Sequence, residues 1–334
     1  MFFAGKSGGK SIKKLLSLIL ALALAASAAG CAAQPASGSA SVSTSAPSSS
    51  VSAPAAEKPT TDPSGAEVTI PDEIGSVVVL APSIAETLVA LGCGDLIVGY
   101  DAQSVGLEGL PEGVPTFDMM QPDMEQLAAL KPDVLFVSNM TLYDQTNPYQ
   151  QLMDMGVCVL CVPTADSIAA IQEDIAFIAA AMGKSAEGDA LIVDMQAELD
   201  RIAAIGATVT DKKSVYFEIS AAPSMYSFGS GVFLNEMIEL IGAENVLADQ
   251  QGWLPVEAET IVAADPDVIL TNVNYIEDPV AEILGRSGWE GMSAVQNEQV
   301  FYIDNMASSL SNQNIVKALD QMAKAVYPEL FSAE

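Results

Sequence analysis

Two glutamates occupy the same place in two copies of one short pattern. Glu125-Gln-Leu-Ala-Ala-Leu-Lys-Pro-Asp-Val-Leu-Phe136 aligns without gaps on Glu259-Thr-Ile-Val-Ala-Ala-Asp-Pro-Asp-Val-Ile-Leu270, with the Glu, one Ala, Pro, Asp and Val in common. Paired carboxylates do acid–base work when held within about 10 Å of each other. A two-lobed enzyme acting on a polymer or a cofactor is therefore one reading of the pair. Another is that each acid complements the positive end of its own helix. A third is that equivalent acids on related halves meet a symmetric partner.

Other chemistry is narrower. The chain has no histidine, which excludes a Ser-His-Asp hydrolase and His-ligated zinc, manganese or haem. Gly229-Ser-Gly231 is followed by Leu234, so it is not a dinucleotide fingerprint. It fits a sharp turn into a helix. No spaced calcium loop occurs, and the many acids read as solvated faces. Cys158 and Cys161 fall in Gly156-Val-Cys-Val-Leu-Cys-Val-Pro163, a β-rich run. Three residues apart on a strand they point to opposite faces, so with Cys93 they read as buried structural thiols. Aromatic and thioether residues fall where loops after strands are expected: Tyr100, Phe117, Met119, Met120, Tyr143, Tyr149, Tyr226, Phe228, Trp253 and Tyr275. A large flat ligand buries well against such groups. Trp253, Tyr226 and Tyr143 stand out, each in a polar loop.

The charge balance restricts the ligand and the partners. There are 13 Lys and Arg against 43 Asp and Glu, and half of the chain is apolar. Four of the lysines (Lys6, Lys10, Lys13 and Lys14) precede the first apolar run, Leu15 to Ala26. This acidic surface repels nucleic acid and anionic headgroups. Beyond residue 30 only Arg201, Arg286 and seven lysines remain, too few for the cation cluster that a trianionic ferric catecholate requires.

The start of the chain reads as an address. A basic stretch, an apolar run too short for a membrane span, and Ser27-Ala-Ala-Gly-Cys31 describe a secretory signal over residues 1–30. Either it is a conventional signal with an incidental cysteine, or Cys31 is a lipidation site. The sequence Ala-Ala-Gly-Cys resembles a bacterial lipobox, with Ala28 where leucine is commonest. That resemblance implies cleavage before Cys31 and a diacyl anchor (palmitate and its like), which suffices for stable membrane attachment. Residues 32–66 are mostly Ser, Ala, Pro and Thr with no aromatic. Together with Cys31 they read as a lipid-anchored flexible tether over 31–66, reaching on the order of 30 Å.

The elements that must position these groups alternate β-rich runs with helical patterns, which predicts an α/β fold. Strands are expected at 77–80, 98–100, 134–137, 214–219, 267–271 and 300–303. Helices are expected at 123–130, 167–182, 232–241 and 312–326. Ser83-x-x-Glu86 reads as a capping box and Gly92 as a helix stop. Ile168, Ile171, Ile175, Ile178 and Met182 form one buried stripe. A helix over 185–206, about 33 Å long, separates an N-terminal lobe (67–184) from a C-terminal lobe (207–334). Two related α/β lobes joined by one long helix leave a cleft between them as the ligand site.

Several runs in this order resemble the iron-complex and vitamin B12 class of ABC-transporter substrate-binding lipoproteins, the helical-bridge class III. They are Val79-Leu-Ala-Pro-Ser-Ile-Ala-Glu-Thr-Leu-Val-Ala-Leu-Gly92, Glu125-x6-Pro-Asp-Val, Ser227-Phe-Gly-Ser-Gly-Val-Phe-Leu-Asn-Glu-Met-Ile238, Gly242-Ala-Glu-Asn-Val246, Gly252-Trp253 and Trp289 to Asp304. The likeness covers nearly all of 67–334. It implies two lobes with limited hinge closure, and a metal chelate held in the cleft and delivered to a permease dimer with its ATPase. It further implies that Glu125 and Glu259 dock onto permease arginines. It implies no enzyme activity, resident metal or cofactor. The lipobox and tether suit a membrane-anchored member on the extracellular face. Ligand contacts are expected from Trp253, Tyr226, Tyr143, Tyr149, Phe117, Met119, Phe228 and Tyr275. The charge balance favours a corrinoid or a hydroxamate ferric complex. Haem is weakened by the lack of histidine, although Tyr or Met could ligate iron. An adhesin or structural lipoprotein would bind no small molecule at all.

Overall fold

The computed structural model describes residues 57–141 and 147–331. The signal, Cys31, most of the tether and Tyr143 lie outside the described residues.

The N-terminal lobe is built from β1 (Val77–Val79), α1 (Pro82–Ala90), β2 (Ile97–Asp101), β3 (Thr116–Phe117), α2 (Met124–Leu130), β4 (Val134–Val137), α3 (Gln150–Asp154) and β5 (Cys158–Cys161). Its strands form one parallel sheet in the order β3-β2-β1-β4-β5. Parallel strands covered on both faces are apolar throughout, as Val77-Val-Val79 and Val134-Leu-Phe-Val137 are. Alternate residues therefore feed two cores. Val77, Val79, Val134, Phe136 and Cys158 face one, while Val78, Leu135, Val137 and Cys161 face the other. The two thiols thus lie on opposite faces, and burial pushes both up to about 11.

Two long helices follow, α4 (Ile168–Ala181) and α5 (Ser185–Gly206). The bridging helix has the extent expected from the sequence. The stripe on α4 does not stay in one lobe. Ile168, Ile171 and Ile175 enter the C-terminal core, whereas Ile178, Ala179 and Ala181 enter the N-terminal core. On α5, Met195, Leu199 and Ile202 join the C-terminal core. The two helices pack tightly where a Cβ on Gly188 would come within 2.4 Å of the Ala179 methyl. Glycine is required at that crossing.

The C-terminal lobe contains β6 (Ser214–Glu218), β7 (Tyr226–Phe228), α6 (Phe233–Leu240), β8 (Glu244–Asn245), β9 (Trp253–Pro255), α7 (Ala258–Ala264) and β10 (Val268–Thr271). It continues through α8 (Pro279–Leu284), α9 (Ser293–Gln296), β11 (Val300–Tyr302), α10 (Asn305–Ser309), α11 (Ile315–Val326) and α12 (Pro328–Phe331). Its main sheet is parallel in the order β11-β10-β6-β8, and β7 and β9 form a small antiparallel pair.

The repeated pattern has a structural basis in both lobes. Asp133 Oδ2 accepts hydrogen bonds from Gly75 N (2.8 Å), Ser76 N (2.9 Å) and Ser76 Oγ (3.0 Å). Asp267 Oδ2 accepts from Ser214 N (2.8 Å) and Ser214 Oγ (2.7 Å). In each lobe the serine hydroxyl accepts in turn from the aspartate's own amide. The helices before them stop alike, with Lys131 (φ 48°) and Asp265 (φ 45°) in the left-handed region. The Pro-Asp-Val core of the pattern thus ties the start of one strand to its neighbour.

Two local expectations are corrected. Residues 57–66 belong to the folded lobe rather than to the tether. Asp62 is buried, its Oδ2 accepts from Cys161 N on edge strand β5 (3.0 Å), and Thr61 bridges Glu67. Hydrogen bonding, which composition does not report, orders this stretch. Ser83 is also not a cap. Pro82 opens α1 after Ala81, with no side-chain cap, and Glu86 turns to the other lobe instead.

Candidate functional site

All strands of each main sheet run the same way, so the loops that leave their carboxyl ends gather along one edge. In the N-terminal lobe these are the segments after Leu80, Asp101, Phe117, Val137 and Cys161. In the C-terminal lobe they are the segments after Glu218, Thr271 and Tyr302. Ligand sites in open α/β sheets lie at this edge.

The lobes meet through a polar contact there. Glu86 Oε2 accepts from Asn312 Nδ2 (2.7 Å) and Asn314 Nδ2 (3.0 Å), and Thr87 Oγ1 bonds Gln313 (3.1 Å). Beside it lies a pocket of about 20 Å³ lined by Ser83, Thr87, Ser138, Thr164, Asp174 and Ser311 among others. Glu236 of α6 accepts from Ile168 N (2.9 Å) at the start of α4. A larger groove of about 630 Å³ opens between α4, α5 and α6. It runs from Ile168 and Glu236 to Lys212 and Gly242, which precede β6 and β8 at the amino edge of the sheet. Its polar groups satisfy one another, Gln172 with Gln196 (2.9 Å) and Gln196 with Asp200 (2.7 Å). Volume alone does not make it the ligand site.

The expected ligand residues separate into two groups. Trp253, Tyr226 and Tyr275 are exposed, the first two by 38% and 39% and Tyr275 by 66%. The structure gathers them on one module. Phe228 pairs with Trp253 and Tyr226 with Pro255 across β7 and β9. Ser220 bridges Tyr226, and the Tyr275 hydroxyl accepts from Ala221 N (2.8 Å) in the same loop. The Trp253 ring rests edge-on against Phe228 (5.7 Å) and Phe233 (6.3 Å). Phe228 is fully buried and supports the tryptophan rather than meeting a ligand. Phe117 and Tyr149 are also buried, in the N-terminal core beside Val137 and Leu152. Their place in expected loops suggested ligand contact, but Phe117 ends β3 and Tyr149 precedes α3, and both side chains are buried in that core. Met119 is half-buried in the turn after β3.

Both arginines are committed. The Arg286 guanidinium donates to both oxygens of Glu218 (2.7 and 2.8 Å), bonds Glu282 and lies over Trp289 (4.2 Å to the ring centroid). Burial alone would push its pKa down, and the hydrogen bonds it donates to the two carboxylates reverse this. Arg201 pairs with Glu198 (2.6 Å) and Asp320 (3.4 Å). Sequence reasoning missed Glu218, because a lone acid at the end of an apolar strand carries no partner signal.

Glu125 and Glu259 occupy the first turns of α2 and α7, one in each lobe. Both are exposed, and neither lines the junction pocket. Among the described residues no group of three or more acids or cysteines could hold a metal.

Comparison with known proteins agrees with this architecture. The family model described as "Periplasmic binding protein" matches residues 77–307. The "Uncharacterized ABC transporter substrate-binding lipoprotein YvrC" of Bacillus subtilis is 31% identical over 81% of this chain and 85% of its own length. A "Cobalamin-binding protein" of Halobacterium salinarum is 28% identical over 82% of this chain and 75% of its own. The solved structure of the Haemophilus influenzae molybdate-binding protein MolA, bound to molybdate, superposes with a TM-score of 0.70 at 26% identity, covering 81% of this chain and 92% of MolA. Two parallel α/β lobes on a bridging helix, together with a family match over most of the chain, leave one conclusion: the chain belongs to the periplasmic binding protein family.

Proposed function

We propose that this chain is the membrane-anchored binding protein of an ABC transporter. It captures a neutral or cationic metal chelate, a corrinoid or a hydroxamate ferric complex, and delivers it to a permease dimer and its ATPase. The observation that carries the ligand class is the exposed aromatic module of Trp253, Tyr226 and Tyr275, set in a lobe whose arginine is already paired. Aromatic faces bury a bulky, flat ligand without needing charge, and the pairing of both arginines leaves little to hold a trianion. The cobalamin-binding relative agrees with this reading. Tyr143 and Met119 are proposed as further contacts from the N-terminal lobe.

Glu125 and Glu259 open equivalent helices on related lobes, which suits docking onto a two-fold permease. A signal over 1–30 and lipidation at Cys31 are proposed to hold the protein on the extracellular face of the membrane, a reading that the lipoprotein relative supports. An enzyme using the two glutamates finds no support, because they sit on exposed helix starts of separate lobes.

Calorimetric titration with cyanocobalamin, ferrichrome, haem and a ferric tricatecholate tests the ligand class. One-to-one binding of a corrinoid or hydroxamate is expected, weakened by about 2 kcal/mol in Trp253→Ala, as for a buried aromatic anchor. Tricatecholate binding as tight as that of either would refute the charge argument.

A further inference from the structure

One ionisable group at the lobe junction has no structural task. Asp174 lies on α4 and lines the small pocket with Ser83 and Thr87 of α1, Ser138 after β4, Thr164 after β5 and Ser311 of the C-terminal lobe. It is half-buried, and among the described residues no hydrogen bond or ion pair engages its carboxyl group. It caps no helix. The pocket's 20 Å³ is room for one water-sized group. Its other polar lining is hydroxyl. On the same helix Ile175 enters one lobe's core and Ile178 the other's, so the carboxyl group stands at the seam that both lobes share. Holding a charge there without a partner is costly, and that cost is recovered when a ligand brings the partner.

We propose that Asp174 is the charge-selecting residue of the cleft floor: it receives a positively charged group of the bound chelate and turns anions away. This rests on the chelate reading above and names the charge that such a ligand carries. A molybdate-like oxyanion, as bound by the Haemophilus relative, is disfavoured here. Burial, and then repulsion from Glu173, pushes the Asp174 carboxyl up to about 7. No charged residue lines the pocket from α1, from the loops after β4 and β5, or from the segment at Ser311. Glu86 on α1 is engaged by Asn312 and Asn314. Cation preference therefore grows above pH 7, where the carboxylate is ionised, and fades toward pH 6 as it takes up a proton.

Two matched pairs of probes test this on the purified full chain by calorimetry at pH 8 and pH 6. Ferrioxamine B carries a free ammonium that its N-acetylated form lacks, and cobinamide is cationic where cyanocobalamin is neutral. The wild type should prefer the cationic member of whichever pair binds by roughly tenfold at pH 8, and by less at pH 6. Asp174→Asn should lose the preference and keep its affinity for the neutral member. Asp174→Ser serves if circular dichroism shows the first variant unfolded. A wild type with no preference, or one retained in the variants, overturns the proposal and leaves the chelate reading standing. Binding of none of the four, or tighter binding of molybdate, overturns both.

Discussion

Replacing Arg286 with methionine isolates the buried ion cluster from everything else in the C-terminal lobe. The side chains of Arg286 and Glu218 are 8% and 1% exposed, and the guanidinium bonds both carboxylate oxygens at 2.7 and 2.8 Å. Methionine keeps much of the volume and some contact with Trp289. It leaves Glu218 buried beside Glu282 with no cation. Removing one member of a buried pair costs about 3–5 kcal/mol, most of it the penalty of the stranded charge. Arg286→Met should therefore lose about that much stability in urea, followed through the fluorescence of Trp289. A further Glu218→Gln change should recover part of the loss, because the stranded charge is gone. Arg286→Lys should recover less than its charge suggests, since a single ammonium cannot match the two-oxygen geometry. A loss below about 1 kcal/mol in Arg286→Met would show that water reaches Glu218. Arg286 could then be open to a ligand, and the argument against anionic ligands would fall with it.

Three further outcomes are expected. The raised carboxyl of Asp174 means that the folded state holds its proton more tightly than the unfolded chain. This contribution is fully present below about pH 4 and is lost as pH rises through about 7. At about 1.4 kcal/mol per pH unit its ceiling is roughly 4 kcal/mol, reduced by partial exposure to about 1–2. Asp174→Asn should be the more stable protein at pH 8 and flat across that window, and equal pH profiles in urea would refute the shift. Glu125→Ala and Glu259→Ala should leave ligand affinity intact and impair transport in reconstituted vesicles, each by a similar amount and more so as Lys. Normal transport in the double variant would remove the docking role. Cys31→Ala should abolish lipid labelling and release the protein from membranes, and unchanged labelling would refute the lipobox.

The exposure of some candidate aromatics was legible in the sequence, and the burial of others was not. Trp253, Tyr226 and Tyr143 stood out as aromatics in polar loops; of these Trp253 and Tyr226 are exposed, on paired strands β7 and β9, and Tyr143 lies outside the described residues. Phe117, Tyr149 and Phe228 carry the same residue types at similar places but fall in cores. Which face a strand-end side chain takes depends on how the sheet is covered, and the covering helix can lie far away in sequence. Glu86 looked like half of a capping box, yet its partners Asn312 and Asn314 are more than 200 residues distant. Asp174 looked like one more acid on a helix surface. Only the closure of α4 against α1 and the other lobe makes it a half-buried group.

Local periodicity by itself determined the alternation of strands and helices, the 22-residue bridge and the kinship of the two lobes. These rest on interactions between residues near in the chain, and on apolar runs that need covering whatever covers them. The repeated Pro-Asp-Val is legible as a pattern, but its task is tertiary, since each aspartate ties down a serine 57 or 53 residues away at a neighbouring strand. Tertiary structure alone decided the pairing of Arg286 with Glu218 and the sharing of α4 between two cores. It also decided the folding of residues 57–66 onto the edge of the sheet and the pocket around Asp174. Each of these depends on a desolvation cost set by groups from distant segments, and that cost exists only once the chain has brought them together.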